Sequence, residues 1–303
     1  MRFSVVAPLA LAAAPAVVSA VGSLGFALGT KLADGSCKYT ADYEKDFDAI
    51  SAASGSKLVR GYSADDCNCA QQILPAAKNK GFQVILGVWP DVDESFNKDK
   101  AALQNYATQY TDQVYAVTVG SETLYRGNFT GDQLLMKIKE VKAILPSVKV
   151  GTADSWNKYA DGTADAVIRG GVDILLVNAF GFWQGQEIGN ATATYFDDIQ
   201  QAFGHVQSVS GSTSSIELWN GETGWPTDGG SSYGAAIAGT DNAKTYFSKS
   251  VCGMLAWGVN VFYFEAFDEP WKPKSVGDNG QASDETHWGA MNADRSTKFG
   301  LKC

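Results

Sequence analysis

The chain is poor in histidine, in cysteine and in positive charge, and each shortage excludes something. Only two histidines occur in 303 residues, His205 and His287. They lie far apart and not at ligand spacing, so a zinc centre is not expected, and Cys67-Asn-Cys69 is a weak metal signal. His205 falls within a helical pattern and reads as structural. Lysine and arginine number 24 against 33 aspartates and glutamates, a net charge of −9, or −10 without Arg2. That balance argues against nucleic acid and against anionic membrane surfaces as partners. A Pro/Ser-rich linker and a block of like charge are also missing. A mature chain of about 280 residues then fits one α/β barrel, a fold that runs to about 250 residues as one domain. No apolar run reaches the roughly 20 residues of a membrane span. The longest, Val5–Val18, follows Arg2 and precedes V-S-A, which reads as an export signal cleaved after Ala20. The C-terminal F-G-L-K-C is no lipid-anchor signal. The expectation is a signal peptide over 1–20 and a single domain over 21–303. The mature protein is expected to be exported and monomeric, with no cofactor and no metal.

Five cysteines in an exported chain are expected to be mostly disulfide-bonded. Cys67 and Cys69 are too close to bridge each other. The expected pairs are Cys37 with one of those two and Cys252 with Cys303, which leaves one cysteine free or intermolecular.

What is present is a repeat of strand and helix signals. Strand patterns fall at 24–29, 57–63, 83–89, 114–122, 148–154, 174–180, 215–221 and 260–267. The spacing of about thirty residues is that of a strand–helix unit. Gly131–Leu145 sets Leu134, Leu135, Ile138, Val141, Ile144 and Leu145 on one face, with Thr130 and Gln133 as a capping box and Pro146 as a stop. Thr194–Ser208 repeats the pattern with Phe196, Ile199, Phe203 and Val206. Eight strands alternating with helices predict a (β/α)8 TIM barrel.

Active residues of such barrels stand at the C-terminal strand ends. The most informative stretch is 216–228, I-E-L-W-N-G-E-T-G-W-P-T-D. An apolar strand ends in small residues, so Glu222 stands at the rim, and Trp225 is a candidate stacking wall for a sugar ring. Val114–Ser121 has the same shape and delivers Glu122. Two carboxylates facing one cleft are the minimal equipment for cutting a glycosidic bond. Arg60 lies inside a strand run, which is costly unless it is paired, and could hold a carboxylate ionised. Trp89 is either a cleft wall or a core residue. The remaining strand ends offer Asp154 and Trp156, then Asn178, Phe182, Trp183 and Gln184, then Tyr263, Glu265, Asp268, Glu269 and Trp271. By alternation Glu265 is a rival acid.

G-E-T-G-W-P after an apolar strand resembles the nucleophile signature of glycoside hydrolase family 17, which holds β-1,3-glucanases and fungal cell-wall glucanosyltransferases. V-G-S-E-T-L-Y-R resembles its acid/base segment in the fungal form. The resemblance covers nearly the whole mature chain. It implies a β-1,3-glucan substrate and a retaining outcome, with Glu222 as nucleophile and Glu122 as acid/base. It implies support of the nucleophile by Arg60, a sugar-contacting Tyr62, and substrate contacts from Ser121 and Tyr125. Two departures stand out. Ser121 replaces the Asn that precedes the acid/base Glu in many relatives, and Phe180 replaces a Tyr that can bond the nucleophile. Both look like the fungal wall-modifying branch.

The expectation is therefore a secreted, cell-wall enzyme that transfers glucan to another glucan or to water. Raised protonation of Glu122 and ionised Glu222 are expected, with carboxyl groups about 5–5.5 Å apart. The rival readings are a wall glucan-binding or structural protein of weak catalysis on the same barrel, and a barrel enzyme acting on another polymer. Sequons at Asn128 and Asn190 predict glycans on the cleft side.

Overall fold

A computed structural model describes residues 21–228, 232–273, 275–276 and 282–303. The predicted signal peptide lies outside the described residues. The elements run in order as β1 (Leu24–Ala27), α1 (Thr40–Ser54), β2 (Leu58–Arg60), α2 (Cys69–Lys80), β3 (Gln83–Val88), α3 (Asp93–Asn105), β4 (Val114–Ser121) and α4 (Gly131–Ile144). Then come β5 (Lys149–Ser155), the short α5 (Trp156–Ala160) and α6 (Asp165–Arg169), β6 (Ile174–Asn178), α7 (Ile188–Ser210) and β7 (Glu217–Thr223). Last are α8 (Thr240–Tyr246), α9 (Cys252–Ala256) and β8 (Val261–Tyr263). The eight strands close a parallel barrel in sequence order, and β8 returns to pair with β1. The (β/α)8 architecture is as the sequence implies.

Strand alternation sorts the side chains into two cores. Leu58, Ile85, Ala116, Ile174, Leu176, Trp219 and Phe262 point into the barrel. Val59, Val84, Leu86, Val117, Leu175, Val177, Val261 and Tyr263 point outward and pack with the helices. The inward row of β2 thus runs from Leu58 to Arg60, and that of β6 from Leu176 to Asn178. At the lower end of the barrel Lys149 pairs with Glu217, which also accepts from Tyr115 and the Trp219 indole, and at the upper end stand the buried Arg60 and Asn178.

α4 starts as expected. Thr130 accepts from the Gln133 N–H, and the Gln133 side chain accepts from the Thr130 N–H. α7 begins six residues before the expected start, and its buried face is Ala191, Tyr195, Asp198, Ile199, Ala202 and Val206. Phe196 lies off that face, stacked on the exposed Trp257. The pattern misleads because Tyr195 and Asp198 are interior polar residues with partners. Tyr195 donates to Asn220, and Asp198 accepts from Gln184. His205 bonds Asp165 at 2.8 Å, a structural role.

The bridges are Cys37–Cys67 and Cys252–Cys303. Cys69 is the free thiol. It is buried, and burial pushes its pKa up to about 12.

Candidate active site

Glu122 and Glu222 come after backbone irregularities in their strands. Between Thr118 and Ser121, β4 advances three residues while β5 advances two. Between Val177 and Asn178, β6 advances one residue while β7 advances two, from Asn220 to Glu222. β7 also gains one residue on β8. An extra residue reverses side-chain parity locally and re-aims the side chains beyond it. In β7, Trp219 points into the barrel and Asn220 out toward Tyr195 of α7. Plain alternation would return Glu222 to the outward face; the extra residue leaves it beside the inward Arg60. Glycine is required at both irregularities. A Cβ at Gly221 would sit 2.7 Å from Asn178 Oδ1 and 3.3 Å from Arg60 Nη1, and Gly120 has φ +86°.

Arg60 organises the upper layer. It is completely buried. Its Nη1 donates to Glu222 Oε1 at 2.9 Å and to the Gly221 carbonyl at 2.8 Å, and its Nη2 donates to Ser121 Oγ at 3.1 Å. Ser121 Oγ is 3.4 Å from the same Glu222 oxygen. One guanidinium therefore ties the nucleophile candidate on β7 to the residue before Glu122 on β4. Tyr62 lies with its ring 4.8 Å from the Arg60 guanidinium. Its hydroxyl is buried, and burial and the nearby Glu222 raise its pKa well above the usual value. A hydroxyl near Glu222 is thus supplied from the segment that follows β2, whereas Phe180 packs edge-on against Trp288 and Phe264.

Glu122 accepts from Asn178 Nδ2 at 3.0 Å. Asn178 is itself paired with Glu222 in the strand register, so the two carboxylates share one end of the barrel. Burial first, and then the negative charge of Glu222, raise the Glu122 pKa to about 7. Asp154 adds to the rise, while the bond from Asn178 and the charge of Arg126 oppose it.

The other expected site residues divide. Trp183 is half-buried and stacks on the buried Trp288 with ring centres 5.2 Å apart, leaving an aromatic wall beyond Glu222. Trp89 is half-buried beneath the Arg126 guanidinium, and Tyr125 is exposed. Trp225 and Tyr263 do not line the cleft. Both have zero exposure. The Trp225 indole donates to the Ile237 carbonyl, and its ring packs on Phe182 and Tyr246. Tyr263 falls on the outward parity of β8, against Phe247. Asp154 is buried and accepts from the N–H groups of Leu124, Tyr125 and Ser155, so it shapes the loop after Glu122 and offers nothing to a sugar. Glu265 is also buried. Lys272 Nζ bonds both its oxygens, at 2.8 and 3.0 Å, and reaches Glu269 at 3.0 Å. Burial, and then the charge of Glu269, raise the Glu265 pKa against the pull of Lys272, but a side chain so enclosed and turned to Lys272 is a poor rival for the acid.

Sequence reasoning passed over Lys272, Glu285, Trp288 and Arg126. Burial raises the Glu285 pKa, and Glu222 contributes to that rise, so it belongs to the same electrostatic unit. T-H-W-G at 286–289 and the Lys after D-E-P-W were the available signals. The sequon asparagines are both exposed; Asn128 donates to Asp91 and Asn190 to Gln186. A cavity of about 420 Å³ opens at the opposite, N-terminal mouth, lined by Ser23, Lys57, Gln83, Tyr115, Trp219 and Asn260. It is remote from both carboxylates.

This geometry has close relatives. The BtgE/BtgC glycoside hydrolase domain matches residues 25–289. The chain belongs to that family, in the fungal branch of glycoside hydrolase family 17. It is 60% identical over 303 residues to a glucan 1,3-beta-glucosidase of Arthroderma benhamiae, covering 100% of this chain and 98% of the relative. It is 42% identical to the glucan 1,3-beta-glucosidase of Saccharomyces cerevisiae, covering 100% and 99%. The family 17 β-1,3-glucanosyltransferase of Rhizomucor miehei superimposes with a TM-score of 0.78 at 29% identity, over 91% of this chain and 96% of that one. An active-site mutant of the Rhizomucor enzyme has been solved with laminaritriose, again with a TM-score of 0.78 at 29% identity, over 92% and 96%. The family 17 chain is an enzyme of the glycoside hydrolase and transglycosylase class.

Proposed function

We propose that this family 17 enzyme acts on β-1,3-glucan by retaining double displacement, with Glu122 as acid/base and Glu222 as nucleophile. The observation that carries the reading is the pairing of environments: Glu222 is bonded to a buried Arg60, while Glu122 is half-buried beside that negative charge with its pKa raised. A protonated Glu122 gives its proton to the departing glycosidic oxygen. Ionised Glu222 bonds the anomeric carbon as the C–O bond breaks, forming a glycosyl-enzyme. Glu122 then takes the proton of the acceptor hydroxyl, whose oxygen displaces Glu222. Water as acceptor gives hydrolysis, and a glucan hydroxyl gives transfer. Names of relatives support both: glucosidases by sequence, a glucanosyltransferase by structure. The Trp183–Trp288 wall suits the apolar face of a glucose ring. Action in the cell wall after export accords with the N-terminal signal and the two bridges.

A reduced linear β-1,3-glucan oligomer at high concentration tests the acceptor. Products longer than the donor establish transfer; shorter ones alone leave hydrolysis. A 2-deoxy-2-fluoro laminaribioside with a good leaving group tests the nucleophile. The expected adduct is on Glu222, and an adduct elsewhere, or turnover surviving Glu222→Gln, overturns the assignment. Laminarin is expected to be cleaved where cellulose and mannan are not.

A further inference from the structure

We propose that Arg126 is a positioning residue for Glu122, locking the turn that aims the acid/base carboxyl into the cleft and fixing a positive charge beside it. This rests on the acid/base assignment just given. Glu122 has φ +58°, a left-handed conformation that crowds its Cβ. Such geometry persists only where the surroundings over-determine it. Rotation about φ of Glu122 swings the preceding peptide, whose carbonyl belongs to Ser121. Arg126 holds the peptides on both sides of Glu122. Its Nη1 donates to the Ser121 carbonyl at 2.6 Å, and its backbone N–H donates to the Glu122 carbonyl at 2.9 Å. The Glu122 N–H is in turn held by the Ala153 carbonyl at 2.9 Å.

The guanidinium is itself fixed. Nη2 pairs with Asp91 Oδ2 at 2.8 Å, and the group lies 4.8 Å from the centre of the Trp89 ring. Asn128 Nδ2 donates to the same Asp91 oxygen at 2.7 Å. A planar fork that bonds in two directions while stacking on an indole is something a lysine ammonium cannot reproduce.

The charges facing Glu122 give the arrangement its second use. Glu222 approaches from β7 with its partner Arg60 from β2, Asp154 from β5, the Asn178 amide from β6, and Arg126 from its own loop, with Asp91 behind the guanidinium. The two neighbouring carboxylates favour protonated Glu122. Arg126 and Asn178 favour the carboxylate. After Glu122 has given up its proton and Glu222 has become an ester, Glu122 must stand as an anion until the acceptor arrives. Arg126 is then the cation beside it.

The test compares Arg126→Met and Arg126→Lys with Glu122→Gln on two substrates. A laminari-oligosaccharide has a sugar leaving group that needs the proton; a dinitrophenyl laminaribioside does not. For Arg126→Met, kcat/KM is expected to fall roughly 100-fold on the oligosaccharide, in the range of a general-acid contribution, and far less on the aryl substrate. Its alkaline limb on the oligosaccharide is expected to move to higher pH, because the cation that favours ionisation is gone. Arg126→Lys is expected to restore the limb more than the rate. Asp91→Asn, which frees the guanidinium from outside, is expected to show the same split in weaker form. Equal losses on both substrates with an unmoved limb overturn the proposal and leave Arg126 as structural. If Glu122→Gln itself shows no split between the substrates, the acid/base assignment fails and the proposal falls with it.

Discussion

Replacing Arg60 with methionine probes the centre of the upper layer. The side chain has no exposure, and its partner Glu222 has 11% side-chain exposure, so solvent cannot replace the lost interaction. Three acceptors lose their donor: Glu222 Oε1, the Gly221 carbonyl and Ser121 Oγ. Breaking a buried pair from one side costs about 3–5 kcal/mol, because the other charge stays behind. A domain typically has about 5–15 kcal/mol in total, so the variant is expected to fold but with a thin margin. At about 2–4 °C per kcal/mol for a large domain, the melting temperature is expected to drop roughly 6–20 °C. Removal of a preorganised charge from the reacting carboxylate is expected to lower kcat/KM roughly 100- to 1000-fold. Urea unfolding of Arg60→Met, Glu222→Gln and the double variant separates the pair from its surroundings. The double variant is expected to fall short of the summed losses by about 2 kcal/mol. A single-variant cost below about 1 kcal/mol, or additivity within about 0.5 kcal/mol, would refute the claim that this pair holds the upper barrel together.

The Cys252–Cys303 bridge closes 51 residues and Cys37–Cys67 closes 30. Loop entropy gives about 4.1 and 3.6 kcal/mol respectively, so Cys252→Ser/Cys303→Ser is expected to lower the urea midpoint at least as much as the other pair, and a clearly smaller shift contradicts the entropic account. Burial raises the Asp198 pKa to about 7. An acid whose folded pKa is raised contributes stability below the unfolded pKa, near 3.9, that is lost as pH rises through about 7. Asp198→Asn is therefore expected to gain about 1–2 kcal/mol at pH 8, with little gain at pH 4; equal effects at both pH values would refute it. The Cys69 thiol is expected to be inert to a disulfide-exchange reagent in the native state and to react on unfolding. Fast labelling of folded protein would contradict its burial.

Much of the barrel was legible because its periodicity is local. Alternation of 2.0 and 3.6, small residues at the strand ends and the Thr130–Gln133 box each depend on a few neighbours in the chain. Errors came where polar residues entered the interior, as Tyr195 and Asp198 do in α7. The site was legible in the same uneven way. Glu122, Glu222 and Arg60 announce themselves as charged residues at the ends of apolar strands, and the structure brings all three together. Trp225 and Tyr263 also stand at strand ends, yet both are buried in the wall. Adjacency to a strand end says nothing about which face a side chain takes once one residue has been inserted into the ladder.

Composition and pattern determined the barrel, the likeness to family 17 and the cysteine pair Cys252–Cys303 as expected. Folding decided which cysteine joins Cys37, which carboxylate is clamped by Lys272, and which aromatics face the cleft. It also decided that Arg126 reaches back to Ser121. The reason is physical: hydrophobic period is a property of consecutive residues, whereas a charge pair such as Arg60–Glu222 spans 162 positions and exists only when the first and last thirds of the chain close on each other.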